Sequence, residues 1–123
     1  MKISIASPKL LSVVVILAAV LLVMTTIPKE NKIVDQTLII KCIIGEKTIN
    51  LDGAQLYPVS DDIISKLHKV TGSSLGKIKS GRFRHIDTKE RYTLYITGKG
   101  DCFYFESDGK KYIIDGISAQ DMP

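Results

Sequence analysis

Hydrophobic and polar positions divide the chain into two unequal parts. Residues 10–27 form an unbroken uncharged run, LLSVVVILAAVLLVMTTI, introduced by Ser7-Pro8 and stopped by Pro28. A serine followed by proline is a favoured helix start, because the hydroxyl caps free amides and proline lacks an amide that would go unbonded. At about 1.5 Å per residue this run would span about 27 Å as a helix, close to the roughly 30 Å of a bilayer hydrocarbon core. It is apolar all round, not along one stripe, so residues 1–28 are expected to be a transmembrane anchor or a signal peptide. No small residues stand at alternating positions around residues 23–27, as a cleavage site requires, which favours the anchor. Lys2 and Lys9 before the run set the expected sidedness, with the domain outside the cytoplasm of a single-pass protein in the cell membrane. A short polar connection over residues 28–32 then leads to the domain.

The remainder alternates with the period of β-structure. Residues 37–44 are rich in β-branched side chains, Gly45-Glu46 is a turn signal, and Ile49 and Leu51 alternate with polar neighbours. Tyr92, Leu94 and Ile96 repeat the pattern, residues 102–106 resume it after a Gly-rich turn, and Asp108-Gly109 leads into residues 111–114. One helix is expected from Ser60 as cap, with Asp61 and Asp62 at its positive end and Ile63, Ile64 and Leu67 on one face. Short strands at even spacing with turns between them predict an antiparallel barrel or sandwich.

Composition narrows this reading. At 123 residues, 45% hydrophobic and 24% charged, the chain suits one domain and excludes disorder over most of its length. The mean hydropathy of +0.14 is largely accounted for by the N-terminal run. Formal net charge is +4, and it is unevenly placed. Lys77, Lys79, Arg82, Arg84, Lys89 and Arg91 lie among fifteen residues and are opposed by Asp87 and Glu90 alone. This basic stretch is a candidate lipid- or partner-binding surface, and alternation puts some of its charges on one sheet face. It also fits a solvated outer strand face. Few aromatic residues accompany it, which argues against nucleic acid.

Residues 69–84, KVTGSSLGKIKSGRFR, and the run ESDGKKY at residues 106–112 resemble the central and C-terminal motifs of the bacterial pleckstrin-homology-like (PH) domain family. The similarity covers about residues 33–116, and the domain is taken as residues 33–117. It implies a mainly β, PH-like antiparallel barrel with one short helix, here behind a transmembrane helix; N-terminal hydrophobic segments recur in such proteins. The implied role is non-catalytic binding or scaffolding at a membrane surface, towards other membrane proteins or a second copy. Binding of an anionic lipid headgroup or small ligand through residues 77–91 is the alternative. Gly72, Gly76, Gly81 and Phe83 carry the structural motif: Gly81 marks a bulge or sharp bend, and Phe83 turns inward beside it. Residues 117–123 are short for the C-terminal helix usual in PH domains, which leaves a barrel end open for a partner.

Chemistry is sparse. Residues 72–78 have neither the spacing nor the following hydroxyl of a phosphate-binding loop. Cys42, Cys102, His68 and His85 lack metal-ligand spacing, so no metal or other cofactor is expected. Cys42 and Cys102 lie in strand-like runs as core residues, and outside the cytoplasm they could form a disulfide. No carboxylate pair or activated nucleophile points to an enzyme.

Overall fold

A computed structural model describes residues 8–117 of the protein. Helix α1 (Pro8–Met24) leads into strands β1 (Pro28–Val34), β2 (Thr37–Cys42) and β3 (Glu46–Asn50). Then come β4 (Tyr57–Val59), the short helix α2 (Asp61–Ser65), β5 (Leu67–Leu75), β6 (Ile78–His85), β7 (Arg91–Ile96), β8 (Cys102–Ser107) and β9 (Lys110–Ile114).

The apolar run is not one transmembrane helix. Helix α1 has 17 residues, about 25 Å at about 1.5 Å each, short of the roughly 30 Å required. Among the described residues no helix is long and apolar enough to cross a membrane. The run is broken because its last residues belong to the β-domain. The Thr25 and Thr26 hydroxyls donate to the Leu22 and Val23 carbonyls at the helix end. Ile27 and Pro28 are buried, and Pro28 opens β1. The expected single-pass membrane location, with the domain's sidedness, falls with the helix. The stretch expected as a polar connection is likewise strand β1.

Nor do the strands close into a purely antiparallel barrel. They make two sheets, a three-stranded one in the order β1-β2-β3 and a six-stranded one in the order β4-β8-β9-β7-β6-β5. Strand β9 folds back on β8 through Asp108 and Gly109, both at positive φ, and inserts beside β7. The β7–β9 pair is parallel, with Thr93 opposite Tyr112 and Tyr95 opposite Ile114. Hydrogen-bonded ladders therefore stop at each sheet's edges, and the two sheets meet face to face.

Period-2 alternation gives the large sheet two buried sides. Leu38, Ile40 and Cys42 of β2 pack with Leu51, Phe105, Ile114 and Ile117 between the sheets. On the opposite side Leu67, Phe83, Leu94, Ile96 and Ile113 cluster under Ile64 of α2. Two polar side chains pin the splayed end of the parallel pair. The buried Asn31 amide donates to the Tyr95 and Asp115 carbonyls at 2.8 and 2.9 Å. The Asp115 carboxylate, 1% exposed, accepts from the backbone amides of Thr97, Gly98 and Lys99 and from the Thr97 hydroxyl.

Local expectations are corrected at three further points. The second helix ends at Ser65, and Leu67 is instead the first, buried residue of β5, because pairing with β6 claims the following residues. Strand β2 ends at Cys42 and not at Ile44, and β3 already begins at Glu46, so residues 43–45 make the turn; the exposed Ile43 and Ile44 bond back to the Ile27 and Met24 carbonyls. The hairpin at Asp35-Gln36, both at positive φ, carries no glycine to announce it. Of residues 117–123, expected to be too short for a C-terminal helix, residues 118–123 lie outside the described residues; Ile117 is part of the core between the sheets.

Candidate binding groove

Strands β6 and β7 carry the basic stretch, and their register sorts it. Arg82 faces Thr71 on one side and Thr93 on the other, and Thr93 in turn faces Tyr112 of β9. One row across the sheet thus reads Thr71, Arg82, Thr93, Tyr112. Arg84 and Arg91 are opposite each other in the next row, which Lys110 at the start of β9 continues. Arg82, Arg91 and Lys110 converge on a recess of about 560 Å³, whose walls also hold Thr71, Thr93, Tyr95 and Tyr112.

Other parts of the basic stretch go elsewhere. Lys79 lies on the opposite face, where its ammonium reaches the Ser74 hydroxyl at 3.4 Å. Lys77 is in the β5–β6 turn against Gly98, and Lys89 is in the β6–β7 turn at positive φ. Arg84 is exposed and does not line the recess. Alternation at a spacing of two joined Lys77 to Lys79 and Arg82 to Arg84. An odd step between the pairs put Lys79 and Arg82 on opposite faces.

Aromatic and charged neighbours that the basic stretch did not reveal complete the groove. Tyr95 and Tyr112 stack at 6.5 Å between ring centroids, and Tyr112 stacks on buried Phe105 at 5.0 Å. Lys47, from the facing small sheet, places its ammonium 5.5 Å from the centre of the Tyr95 ring. At the mouth, the Tyr92 hydroxyl donates to Glu90, and Lys111 pairs with the same carboxylate at 3.2 Å. The bond from Tyr92, then Lys111, holds Glu90 below the ordinary carboxylate range. Burial, followed by Glu90, pushes the Tyr92 phenol up to about 12. Burial likewise raises Tyr95 and Tyr112, so the phenols lining the groove stay protonated at neutral pH. Lys110 and Tyr112 join Arg82 because β9 runs parallel beside β7, and Tyr95 joins it because β7 itself pairs with β6. The one local signal was the Lys110-Lys111 pair after the Asp108-Gly109 turn.

Beneath the groove, Gly72 of β5 and Gly81 of β6 oppose each other at φ +118 and +114. A Cβ on either would run into the backbone of the other strand, lying 2.8 Å from the Gly81 Cα or 2.7 Å from the Gly72 Cα. The pair lets two strands approach where no side chain fits. The register shift sits not at Gly81 but on β5, between Lys69 and Thr71. Phe83, two residues on, is buried under α2, and Gly76 occupies the open β5–β6 turn.

Cys42 and Cys102 are free thiols. Their pairing is blocked by the large sheet: Cys42 belongs to the core between the sheets, and Cys102 packs against the cluster on the other side. Burial, then the Asp115, Asp61 and Asp101 carboxylates, pushes the Cys102 thiol up to about 11, and burial raises Cys42 as well. A thiol whose folded pKa exceeds its unfolded value keeps its proton longer when folded. Its contribution is whole below about pH 9 and is lost as pH rises through about 11. The urea midpoint is therefore expected to fall between about pH 9 and about pH 11, Cys102 accounting for about 1 kcal/mol given its partial exposure. Cys102→Ala should flatten part of that slope; an unchanged slope would refute the assignment.

The family described as bacterial PH domain matches residues 30–122 of the chain. No curated protein and no solved structure matches it.

Proposed function

The chain belongs to the bacterial PH domain family, and on that footing we propose that it is a non-catalytic binding module whose groove receives an acidic segment of a partner protein. One observation carries this reading. Arg82, Arg91 and Lys110 surround a hydroxyl-lined recess, and none of them has an ion pair among the described residues. Cations that share a concavity and lack internal partners present an uncompensated field to an approaching anion. Threonine and tyrosine hydroxyls supply neutral hydrogen bonds between the charges, and the stacked Tyr95 and Tyr112 rings make a firm apolar floor. Groups of this kind bind and orient. The protonated phenols offer no base or nucleophile at neutral pH.

A fluorescent Glu-rich dodecapeptide titrated into the full chain tests the proposal by anisotropy. Saturable binding is expected, weakening as salt rises. Reversal of charge in Arg82→Glu or Arg91→Glu should weaken it about tenfold or more, from loss of one contact and gain of a repulsion. Lys79→Glu, on the opposite face, should leave it nearly unchanged. Equal effects from Lys79→Glu and Arg82→Glu would overturn the groove assignment. Binding to vesicles rich in phosphatidylglycerol, with no binding of the peptide, would replace the protein segment by an anionic headgroup.

A further inference from the structure

A second recess, outside the basic groove, has the opposite chemistry. Tyr57 of β4 and Tyr104 of β8 are direct cross-strand partners, with ring centroids 6.4 Å apart and planes inclined by 33°. Together with Gly53, Ala54, Gln55 and Glu106 they line a recess of about 460 Å³. Hydrogen bonds hold both rings: the Tyr57 hydroxyl donates to the Gln55 side chain at 2.6 Å, and the Tyr104 hydroxyl donates to Glu106. Tyr104 is further fixed edge-on against Tyr92, at 6.0 Å and 78°.

The charge balance decides what this recess can hold. Glu106 is opposite Lys111 in the β8–β9 register, the natural source of a compensating cation. Lys111 turns away instead, pairing with Glu90 at 3.2 Å and lying 6.0 Å from the centre of the Tyr92 ring. Glu106 is left without a cationic partner among the described residues. Two tyrosine rings with negative faces and one uncompensated carboxylate attract a cation, through the ring quadrupoles and through direct pairing.

We propose that the Tyr57–Tyr104–Glu106 recess binds an organic cation, a guanidinium or alkylammonium group. The site is separate from the basic groove and does not depend on it. A planar guanidinium suits it best, because it can lie against a ring while its edge donates to the carboxylate.

NMR titration of the labelled full chain with agmatine, and with butylurea as a neutral counterpart, tests the site. Agmatine is expected to give saturable shifts of the Tyr57 and Tyr104 ring signals, and butylurea is expected to give none. Glu106→Gln and Tyr57→Ala should each weaken agmatine binding about fivefold, the size of a partly exposed cation–ring or charge contact. Both residues are exposed, so these variants should keep the wild-type spectrum of the core. Tyr57→Phe, which retains the ring, should bind nearly as wild type. A short peptide with a single arginine distinguishes the cation's source: binding tighter than agmatine, and lost in Glu106→Gln, assigns it to a protein side chain, and weaker binding assigns it to a free amine. Unsaturable shifts, equal shifts with butylurea, or full binding by Glu106→Gln would overturn the proposal. Loss of peptide binding in Arg82→Glu would leave it standing.

Discussion

Gly81→Ala is expected to cost about 2 to 6 kcal/mol, a large share of the roughly 5–15 kcal/mol that holds a domain of this size together. Two effects combine. At φ +114 the backbone is in a region that only glycine occupies readily, and a side chain there costs about 1–3 kcal/mol. The new methyl would also press on the Thr71 carbonyl and lie 2.7 Å from the Gly72 Cα. Backbone cannot rotate aside as a side chain can, so β5 must lift from β6, at a further cost of about 1–3 kcal/mol. Gly72→Ala should behave alike, because the contact is reciprocal. Gly76→Ala, with nothing within 4 Å and φ +60, should cost only about 1 kcal/mol. Urea unfolding checks the order of the three. A Gly81→Ala variant no weaker than Gly76→Ala would mean that β5 and β6 separate without penalty. Lifting β5 would also move Thr71 from Arg82, so surviving folded protein should bind the acidic peptide poorly.

Removing the Asp115 carboxylate is the second large effect. Its Oδ1 accepts from the Thr97 amide at 2.7 Å and the Thr97 hydroxyl at 2.8 Å. Oδ2 accepts from the Gly98 and Lys99 amides at 2.8 and 2.9 Å. A buried carboxylate with four donors is well compensated, but its loss strands the donors. Asp115→Ala should therefore destabilise by about 3 kcal/mol or more, since hydrogen bonds to charged groups count for about 1.5–3 kcal/mol each and a freed loop can rehydrate only in part. A fall in Tm of about 10 °C or more follows for a domain of this length. Asp115→Asn keeps the shape but turns an amide NH2 towards two donors, so it should rescue little. Hydrogen exchange gives a local reading: the Thr97, Gly98 and Lys99 amides should lose protection before those of β2. Wild-type stability in Asp115→Ala would show that the loop is held by its backbone alone.

Asp115 illustrates how unevenly the chain disclosed itself. Its neighbours Tyr112, Ile113 and Ile114 read plainly as a strand, because β-branched and aromatic residues after an Asp-Gly turn have few alternatives. Asp115 itself looked like any strand-end acid. Its role depends on the loop at residues 97–101 returning to it, a contact made across the sheet and not along the chain. The groove was similarly half visible. Arg82 and Arg91 stood out by charge, whereas Lys110 and Tyr112 became their companions only through the parallel β7–β9 pair, and Tyr95 through the register of β7 on β6. The helix-like run at residues 60–70 misled because Asp61, Asp62, Ile63 and Ile64 do form a helical turn, after which pairing with β6 draws Leu67 into β5.

The uncharged run at residues 10–27 shows the same division. Its hydrophobicity and its helical start are local properties, and α1 forms where they are strongest. Where α1 stops is set by the domain: Ile27 and Pro28 gain burial, Ser80 donates to the Thr26 carbonyl at 2.5 Å, and the helix is left at 17 residues. Alternation, turn residues and glycine placement were enough to specify a mainly β domain, several of its hairpins and the family motif, because each acts over a few neighbouring residues. Tertiary structure alone decided that two sheets face each other, that β9 lies between β8 and β7, and that cations gather on one side while a lone carboxylate stands among tyrosines on the other. Those outcomes turn on register and strand order. A shift of one residue carries a side chain to the opposite face, and no short stretch of sequence records which strand will lie beside it.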